Sequence, residues 1–147
     1  MIGLLQRVSE ASVGIDGEVI AEIGRGLLVL VGIERSDSDR EVERLAERLL
    51  AYRVFSDDAG RMNLSVRDIG GSVLLVPQFT LAADTANGSR PGFSRAAGPD
   101  LGEELFAKVV ARFEILGLPA ASGRFGANMQ VNSINDGPVT FWLQVGG

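Results

Sequence analysis

The stretch LLVLVGIERSDSDREVERLAERLL, residues 27–50, contains the two patterns that decide the fold class. Its first seven residues, 27–33, form an unbroken apolar run, which is typical of a strand buried on both faces. Ser38 then stands three residues before Glu41, the spacing of a helix-capping box. The apolar residues that follow recur at helical spacing: Val42, Leu45, Ala46, Leu49 and Leu50. A buried strand that leads into an amphipathic helix indicates an α/β protein.

Turn signals place further strands on both sides of this stretch. Residues 2–15 alternate loosely between apolar and polar, and Asp16-Gly17 predicts a type I′ hairpin turn into a strand at 18–23. Short strands and turns are expected over residues 51–70. A second buried strand is predicted at 72–76, again from a continuous apolar run.

The remaining residues predict a second helix and two final strands. The helix is expected to begin near Pro99 and to end at Gly117. The C-terminal third, residues 123–145, is interpreted as two strands joined through a turn at 135–138. The order β-β-β-α-β-β-α-β-β predicts one α/β domain over residues 1–147, with a curled, barrel-like mixed sheet and two packed helices.

Composition indicates a globular chain and removes several classes of enzyme. The 147 residues are 46% hydrophobic and 22% charged, and no apolar run approaches the ~18 residues of a spanning helix. The N-terminus has no basic region before its apolar stretch, so neither a signal peptide nor a membrane segment is predicted, and a cytoplasmic location is expected. Histidine and cysteine are both absent, which excludes His- and Cys-dependent nucleophilic mechanisms and the usual zinc sites.

The charged residues argue against a protein that coats duplex nucleic acid. A net charge of −5 disfavours many simultaneous phosphate contacts. The single lysine, Lys108, falls beside the apolar stripe of the second helix and is predicted to face solvent rather than to act as a base. A few local arginines can still hold one nucleic-acid end.

Four segments carry residues suited to chemistry: PQFTL at 77–81, GSRPGF at 88–93, GRFGANM at 123–129 and NDGPVT at 135–140. The first follows a buried strand, where backbone N–H groups can point at a developing oxyanion and Thr80 offers a hydroxyl. The second offers Arg90 for a phosphate and Phe93 for stacking on a base. Taken singly, each segment also has a plain structural interpretation: a strand end, a solvated loop, an edge strand with a bulge and a turn.

Taken together, these segments resemble the D-aminoacyl-tRNA deacylase family over the whole chain. The match runs from MIGLLQRVSEASV at 1–13 to VTFWLQV at 139–145, and RMNLSV, SRPGF and GRFGANMQV occur in order between them. The most characteristic motifs are PQFTL and the Asn135–Thr140 segment, an NxGPVT motif. Pro77 departs from the family pattern, which commonly has Ser there; Gly92 replaces a frequent Ser and Asn128 a common acidic residue.

The resemblance implies a fold, an assembly and a set of site residues. It implies a curled α/β domain that forms a symmetric homodimer with active sites at the interface and needs no cofactor or metal. Its partner would be the aminoacylated 3′ end of tRNA. The implied catalytic residues are Gln78, Phe79 and Thr80, and those implied in substrate binding and chiral selection are Gly137, Pro138, Phe125, Met129 and Arg90. The Gly-Pro pair would be cis and would enter the partner's pocket.

The implied reaction is hydrolysis of the ester of D-aminoacyl-tRNA, and of glycyl-tRNA charged onto the wrong tRNA, with rejection of L-aminoacyl groups. An aminoacyl ester is already activated, so backbone oxyanion donors near Phe79 and Thr80 suffice without histidine if the ribose 2′-hydroxyl orients the water. Two alternatives stay open. One is a related deacylase that removes mischarged L-alanine or L-threonine; the other is a non-catalytic module that binds an RNA end or associates with DNA.

Overall fold

One long strand organises the sheet. The computed structural model describes residues 1–146, and in it β1 (Ile2–Ile15) pairs antiparallel along one edge with β8 (Gln130–Gln144). The opposite edge of β1 pairs first with β3 (Gly26–Gly32) and then with β2 (Glu18–Ile23). The β1–β2 turn has positive φ angles at Asp16 (50°) and Gly17 (81°), which confirms the predicted hairpin.

Parallel pairing extends the sheet and makes it mixed. β3 pairs parallel with β6 (Ser72–Pro77), and β6 pairs parallel with the short β7 (Ala121–Ser122). β2 folds back against β6 and β7, so the sheet curls upon itself as predicted. A separate hairpin holds the two short strands β4 (Phe55–Ser56) and β5 (Met62–Leu64).

Two helices cover one face of the sheet. α1 (Asp39–Ala51) begins with the predicted capping box, in which the Glu41 carboxylate accepts the Ser38 backbone N–H at 2.8 Å. α2 (Pro99–Ile115) packs against α1, and Lys108 lies at the surface with its ammonium 2.8 Å from the Asp39 carboxylate. The main core lies between these helices and the sheet, and its largest fully buried members include Leu5, Leu27, Leu45, Leu49, Phe55, Leu75 and Phe113.

The prediction of two C-terminal strands joined by a turn is wrong. β8 continues through residues 135–138, because β1 is long enough to pair with it on both sides of that segment. The interruption appears only as shifts of register between β1 and β8. The Asn135 side chain braces it: the amide oxygen accepts the Val139 N–H at 2.9 Å, and the amide nitrogen donates to the Thr140 hydroxyl at 3.0 Å.

A buried ion pair joins the start of β1 to the connection between β3 and α1. The Met1 ammonium lies 2.7 Å from the Asp37 carboxylate, and both groups are fully buried. Burial raises the pKa of the Asp37 carboxyl, while the hydrogen bond from the ammonium opposes that rise. Within residues 1–146, neither helix has the length and apolarity needed to cross a membrane.

Candidate active site

A cleft of about 770 Å³ opens at the carboxyl end of β6. Its walls come from the turn that follows β6, from residues between 93 and 99 ahead of α2, and from residues 125–131 at the entrance to β8. Ligands of α/β sheets bind outside the carboxyl ends of the strands, and this volume is that of a small-molecule site. The cleft is therefore the candidate active site.

The turn after β6 is held tightly against the end of β3. The Gln78 N–H donates to the Val31 carbonyl at 2.8 Å, so pairing with β3 continues one residue beyond β6. A short 3-10 helix, Phe79–Ala82, follows directly. Gly32 makes the close approach possible, because a Cβ at that position would lie 2.9 Å from the Leu81 Cβ. The backbone of the turn is thus placed by β3 rather than left to a mobile loop.

Two backbone donors in this turn have no backbone acceptor in the described part of the chain. The N–H groups of Phe79 and Thr80 belong to the first turn of the 3-10 helix, where no helical carbonyl is available to them. Neither donates to a backbone carbonyl elsewhere in residues 1–146. The Gln78 side-chain amide donates to the Thr80 hydroxyl and so orients it. This arrangement offers two N–H groups and an oriented hydroxyl to an oxygen that gains negative charge.

Two phenylalanine rings form an apolar surface at the cleft. Phe79 is 59% exposed and Phe93 is 41% exposed, and their ring centroids lie 5.3 Å apart at an interplanar angle of 45°. Aromatic side chains that remain this exposed as a pair are suited to stacking on a nucleobase.

Phe125 and Met129 form a second part of the cleft wall. The Phe125 ring packs on α2 at Gly102, where a Cβ would come within 3.1 Å of the ring. The Met129 sulfur accepts the Arg124 N–H at 3.4 Å, which closes the turn between them. Both residues line the cleft together with the residues that follow β6.

The Gly137–Pro138 segment lies outside this cleft, exposed on β8. Its peptide bond is cis, and Gly137 has a φ of 145°, at which any Cβ would sit 2.6 Å from the Val139 side chain. Arg7 holds the segment from the neighbouring strand: its Nε donates to the Asp136 carbonyl at 2.9 Å and its Nη1 to the Val54 carbonyl at 2.8 Å. The segment is therefore a fixed, outward-facing part of the surface.

Comparison with known proteins identifies the family. The family model described as D-Tyr-tRNA(Tyr) deacylase matches residues 4–144. A D-aminoacyl-tRNA deacylase of Alkalilimnicola ehrlichii is 59% identical over 98% of this chain and 96% of its own length. The chain belongs to the D-Tyr-tRNA(Tyr) deacylase family. The D-aminoacyl-tRNA deacylase of Citrobacter koseri, also 59% identical, is covered over its whole length by 99% of this chain.

Solved structures share the fold of this chain. A structure named c-Myc DNA Unwinding Element Binding Protein superimposes with a TM-score of 0.96 at 37% identity over the whole of both chains. A structure described as a probable eukaryotic D-amino acid tRNA deacylase superimposes with a TM-score of 0.83 over 98% of both chains. At 16% identity, the second shows the common fold alone. The resemblance and the fold class predicted from the sequence are both confirmed.

Four of the predicted site residues line the cleft of this deacylase-family chain: Gln78, Phe79, Phe125 and Met129. Thr80 lies beside the cleft without lining it. Arg90 lies in an exposed loop closed by the Asp84–Gly92 bridge, and it does not line the cleft either. Within residues 1–146, no three side chains of the usual metal-binding types are close enough together to hold an ion.

Sequence reasoning missed Arg35, which lines the cleft. Arg35 comes soon after β3, and β3 runs parallel to β6. Residues that follow two parallel strands emerge at the same edge of a sheet. Knowing that β3 and β6 are adjacent would have placed Arg35 at the cleft. The sequence alone does not predict which strands are neighbours.

Proposed function

We propose that this chain hydrolyses the ester bond between a D-amino acid and the 3′ end of tRNA, and releases free tRNA and the D-amino acid. Glycyl-tRNA charged onto the wrong tRNA is included among its substrates. The observation that carries the proposal is that an exposed aromatic pair lining the cleft lies next to a turn whose two N–H groups have no backbone partner within residues 1–146. The first suits a terminal nucleobase and the second an ester oxyanion. A cytoplasmic location is part of the same proposal, because it would bring the protein together with charged tRNA.

The residues present suit a mechanism of positioning and electrostatic stabilisation. The N–H groups of Phe79 and Thr80 hold the carbonyl oxygen as it becomes an oxyanion. The ribose 2′-hydroxyl of the substrate orients the attacking water, since the chain contains no histidine or cysteine. Thr80, oriented by Gln78, contributes hydrogen bonding and forms no covalent intermediate, because the sequence has no histidine to act as its base and the one lysine, Lys108, is paired with Asp39. Neither a metal nor a cofactor takes part, so a chelator leaves the rate unchanged when tRNA folding is controlled separately.

Chiral selection in this account comes from a second copy of the chain. Gly137–Pro138 is exposed and fixed but lies outside its own cleft, which fits a segment that completes the cleft of a partner. β8 pairs only with β1 within residues 1–146, so its other edge is open. Two large apolar residues of β8 are also half exposed: Ile134 (53%) and Trp142 (52%). A symmetric homodimer would cover this surface and bring each Gly-Pro pair to the other cleft.

Light scattering combined with activity tests the dimer. Ile134→Asp places a charge on the exposed face of β8 and is expected to lower both the dimeric mass and the activity. Val19→Asp is the matched control, because Val19 is exposed on β2. A monomeric wild-type protein with full activity at the assay concentration would refute the assembly.

Two other functions compete with this one. A deacylase for mischarged L-aminoacyl-tRNA would have the same cleft, and the chirality of the preferred substrate distinguishes it. A nucleic-acid-binding module has some support, because the structure that matches at 37% identity is named as a DNA-element binding protein. The net charge of −5 disfavours extensive contact with duplex phosphates, and turnover separates the enzyme from the module.

The direct test is release of D-amino acid from a mixture of D-aminoacyl-tRNAs. Met129→Ala, which enlarges the cleft, is expected to lower kcat/KM by about tenfold or more, since a deleted large side chain costs substrate packing. Met62→Ala is the matched control, because Met62 is exposed on β5 and does not line the cleft. Equal loss in both variants, or no turnover by the wild-type protein, would contradict the proposal.

A further inference from the structure

Among residues 1–146, Arg35 is the only charged residue that lines the cleft. This is unexpected in a chain whose net charge is −5. The rest of the lining is apolar or neutral, so the guanidinium is the one full charge that a ligand in the cleft would meet. A lone cation in such a setting attracts an anion more strongly than the same group would among carboxylates.

The backbone of Arg35 is fixed by the same segment that walls the cleft. The Arg35 N–H donates to the Arg95 carbonyl at 2.9 Å. Just before Arg35 in the chain, Glu34 bridges to Ala96, and the Ile33 carbonyl accepts the Ala97 N–H at 3.0 Å. The Cα of Arg35 is therefore held in place even though its side chain is exposed.

The nearest carboxylates along the chain do not neutralise Arg35. Glu34 accepts from the Gln144 side-chain amide at 2.7 Å, and Asp37 accepts from the Met1 ammonium at 2.7 Å. Both acidic residues are buried. The Arg35 guanidinium itself forms no ion pair within residues 1–146, whereas Arg7 and Lys108 do. Its charge remains available to a ligand.

We propose that Arg35 binds the phosphate on the 5′ side of the terminal nucleoside of the tRNA. The inference rests on the proposed function, because the aminoacyl ester occupies the other side of that nucleoside. With the base on the aromatic pair and the ester at the turn after β6, the only anion that the substrate brings to the cleft is this phosphodiester. Arginine recognises phosphate through charge-assisted hydrogen bonds.

Two minimal substrates isolate this contact: the D-alanyl ester of adenosine, and the same ester of adenosine 5′-monophosphate. Wild-type protein is expected to prefer the phosphorylated ester by about tenfold in kcat/KM, the effect of one charge-assisted hydrogen bond. Arg35→Gln should abolish that preference through KM, with kcat unchanged, and Arg35→Lys should keep part of it. Arg44→Gln, on the exposed face of α1, is the matched control and should retain the full preference.

Salt dependence on D-alanyl-tRNA gives a second readout. The slope of log kcat/KM against log salt should become shallower by about 0.7 in Arg35→Gln, the value for one lost phosphate contact on a single strand. Undiminished hydrolysis of the unphosphorylated ester shows that the variant is folded. If Arg35→Gln keeps the phosphate preference and the salt slope, the inference is overturned while the proposed function stands. If wild-type protein hydrolyses no ester at all, the proposed function and the inference fall together.

Discussion

Gly32 lies in close contact with the turn after β6. A substitution at Gly32 therefore tests whether the position of that turn determines the rate. The Gly32→Ala substitution adds one methyl group, which would stand 2.9 Å from the Leu81 Cβ and 3.3 Å from the Gln78 carbonyl oxygen. Ordinary carbon–carbon contacts begin at about 3.5 Å. Both neighbouring atoms belong to the turn or are attached directly to its backbone, so the turn itself must move away by roughly 0.5–1 Å.

This movement has a predicted cost in rate and in stability. The N–H groups of Phe79 and Thr80 move with the turn, and a misplacement of about 1 Å costs roughly 100-fold in rate. We therefore expect kcat of Gly32→Ala to fall by about 10- to 100-fold. Overpacking of a buried position should also lower the free energy of unfolding by about 1–3 kcal/mol.

The assay is single-turnover hydrolysis of D-alanyl-tRNA, measured well below the unfolding temperature, with urea unfolding in parallel. Gly3→Ala is the matched control: its added Cβ would lie 3.1 Å from the Leu45 Cδ1, a flexible side-chain end, and neither residue lines the cleft. This control should lose stability and keep its rate. A Gly32→Ala protein that is destabilised yet fully active would refute the role assigned to the turn.

Three further predictions concern the cap of α1, the buried ion pair and the nucleophile. Ser38→Ala should lower the free energy of unfolding by about 1 kcal/mol at neutral pH. The Ser38 hydroxyl lowers the pKa of Glu41 below its ordinary 4.5. The difference from wild type, measured by urea unfolding, should therefore shrink as the pH falls below 4.5. Asp37→Asn should cost about 3–5 kcal/mol, since it removes the nearer counterion of the buried N-terminal ammonium and leaves the Glu34 carboxylate at 4.0 Å. Asp39→Asn, which removes an exposed partner of a surface ion pair, should cost less than about 1 kcal/mol; equal losses would contradict the burial argument. Mass spectrometry of quenched turnover mixtures should find no aminoacyl adduct on Thr80, and its detection would overturn the non-covalent mechanism.

Features that depend on local pattern could be predicted from the sequence. The capping box of α1 and the buried strand β3 depend on residues close together in the chain, and the structure confirms both. The turn after β6 could be singled out because it follows a buried apolar run. Such elements are predictable because the local propensity of their residues and their pattern of burial favour the same structure.

The sequence-based predictions failed where pairing between strands that are distant in the chain determines the structure. Residues 135–138 have the composition of a turn, yet β1 pairs with β8 on both sides of them, and that pairing keeps β8 running in one direction. Arg35 was missed for a related reason, since its place in the cleft depends on β3 lying beside β6. The order of strands in the sheet is a property of the folded chain, and a local sequence pattern does not predict it.

The most direct test of the account compares D-alanyl, L-alanyl and glycyl esters on one tRNA. In the proposed mechanism, the fixed backbone at Gly137–Pro138 of a second copy excludes a side chain by its direction and makes no positive contact with a D side chain. We therefore expect D-alanyl-tRNA and glycyl-tRNA to be hydrolysed, and L-alanyl-tRNA to be nearly inert. The discrimination against L-alanine should exceed the ~10–200-fold that one methyl group achieves in a hydrophobic pocket. Hydrolysis of L-alanyl-tRNA at the rate of D-alanyl-tRNA, or glycyl-tRNA as resistant as L-alanyl-tRNA, would contradict the account.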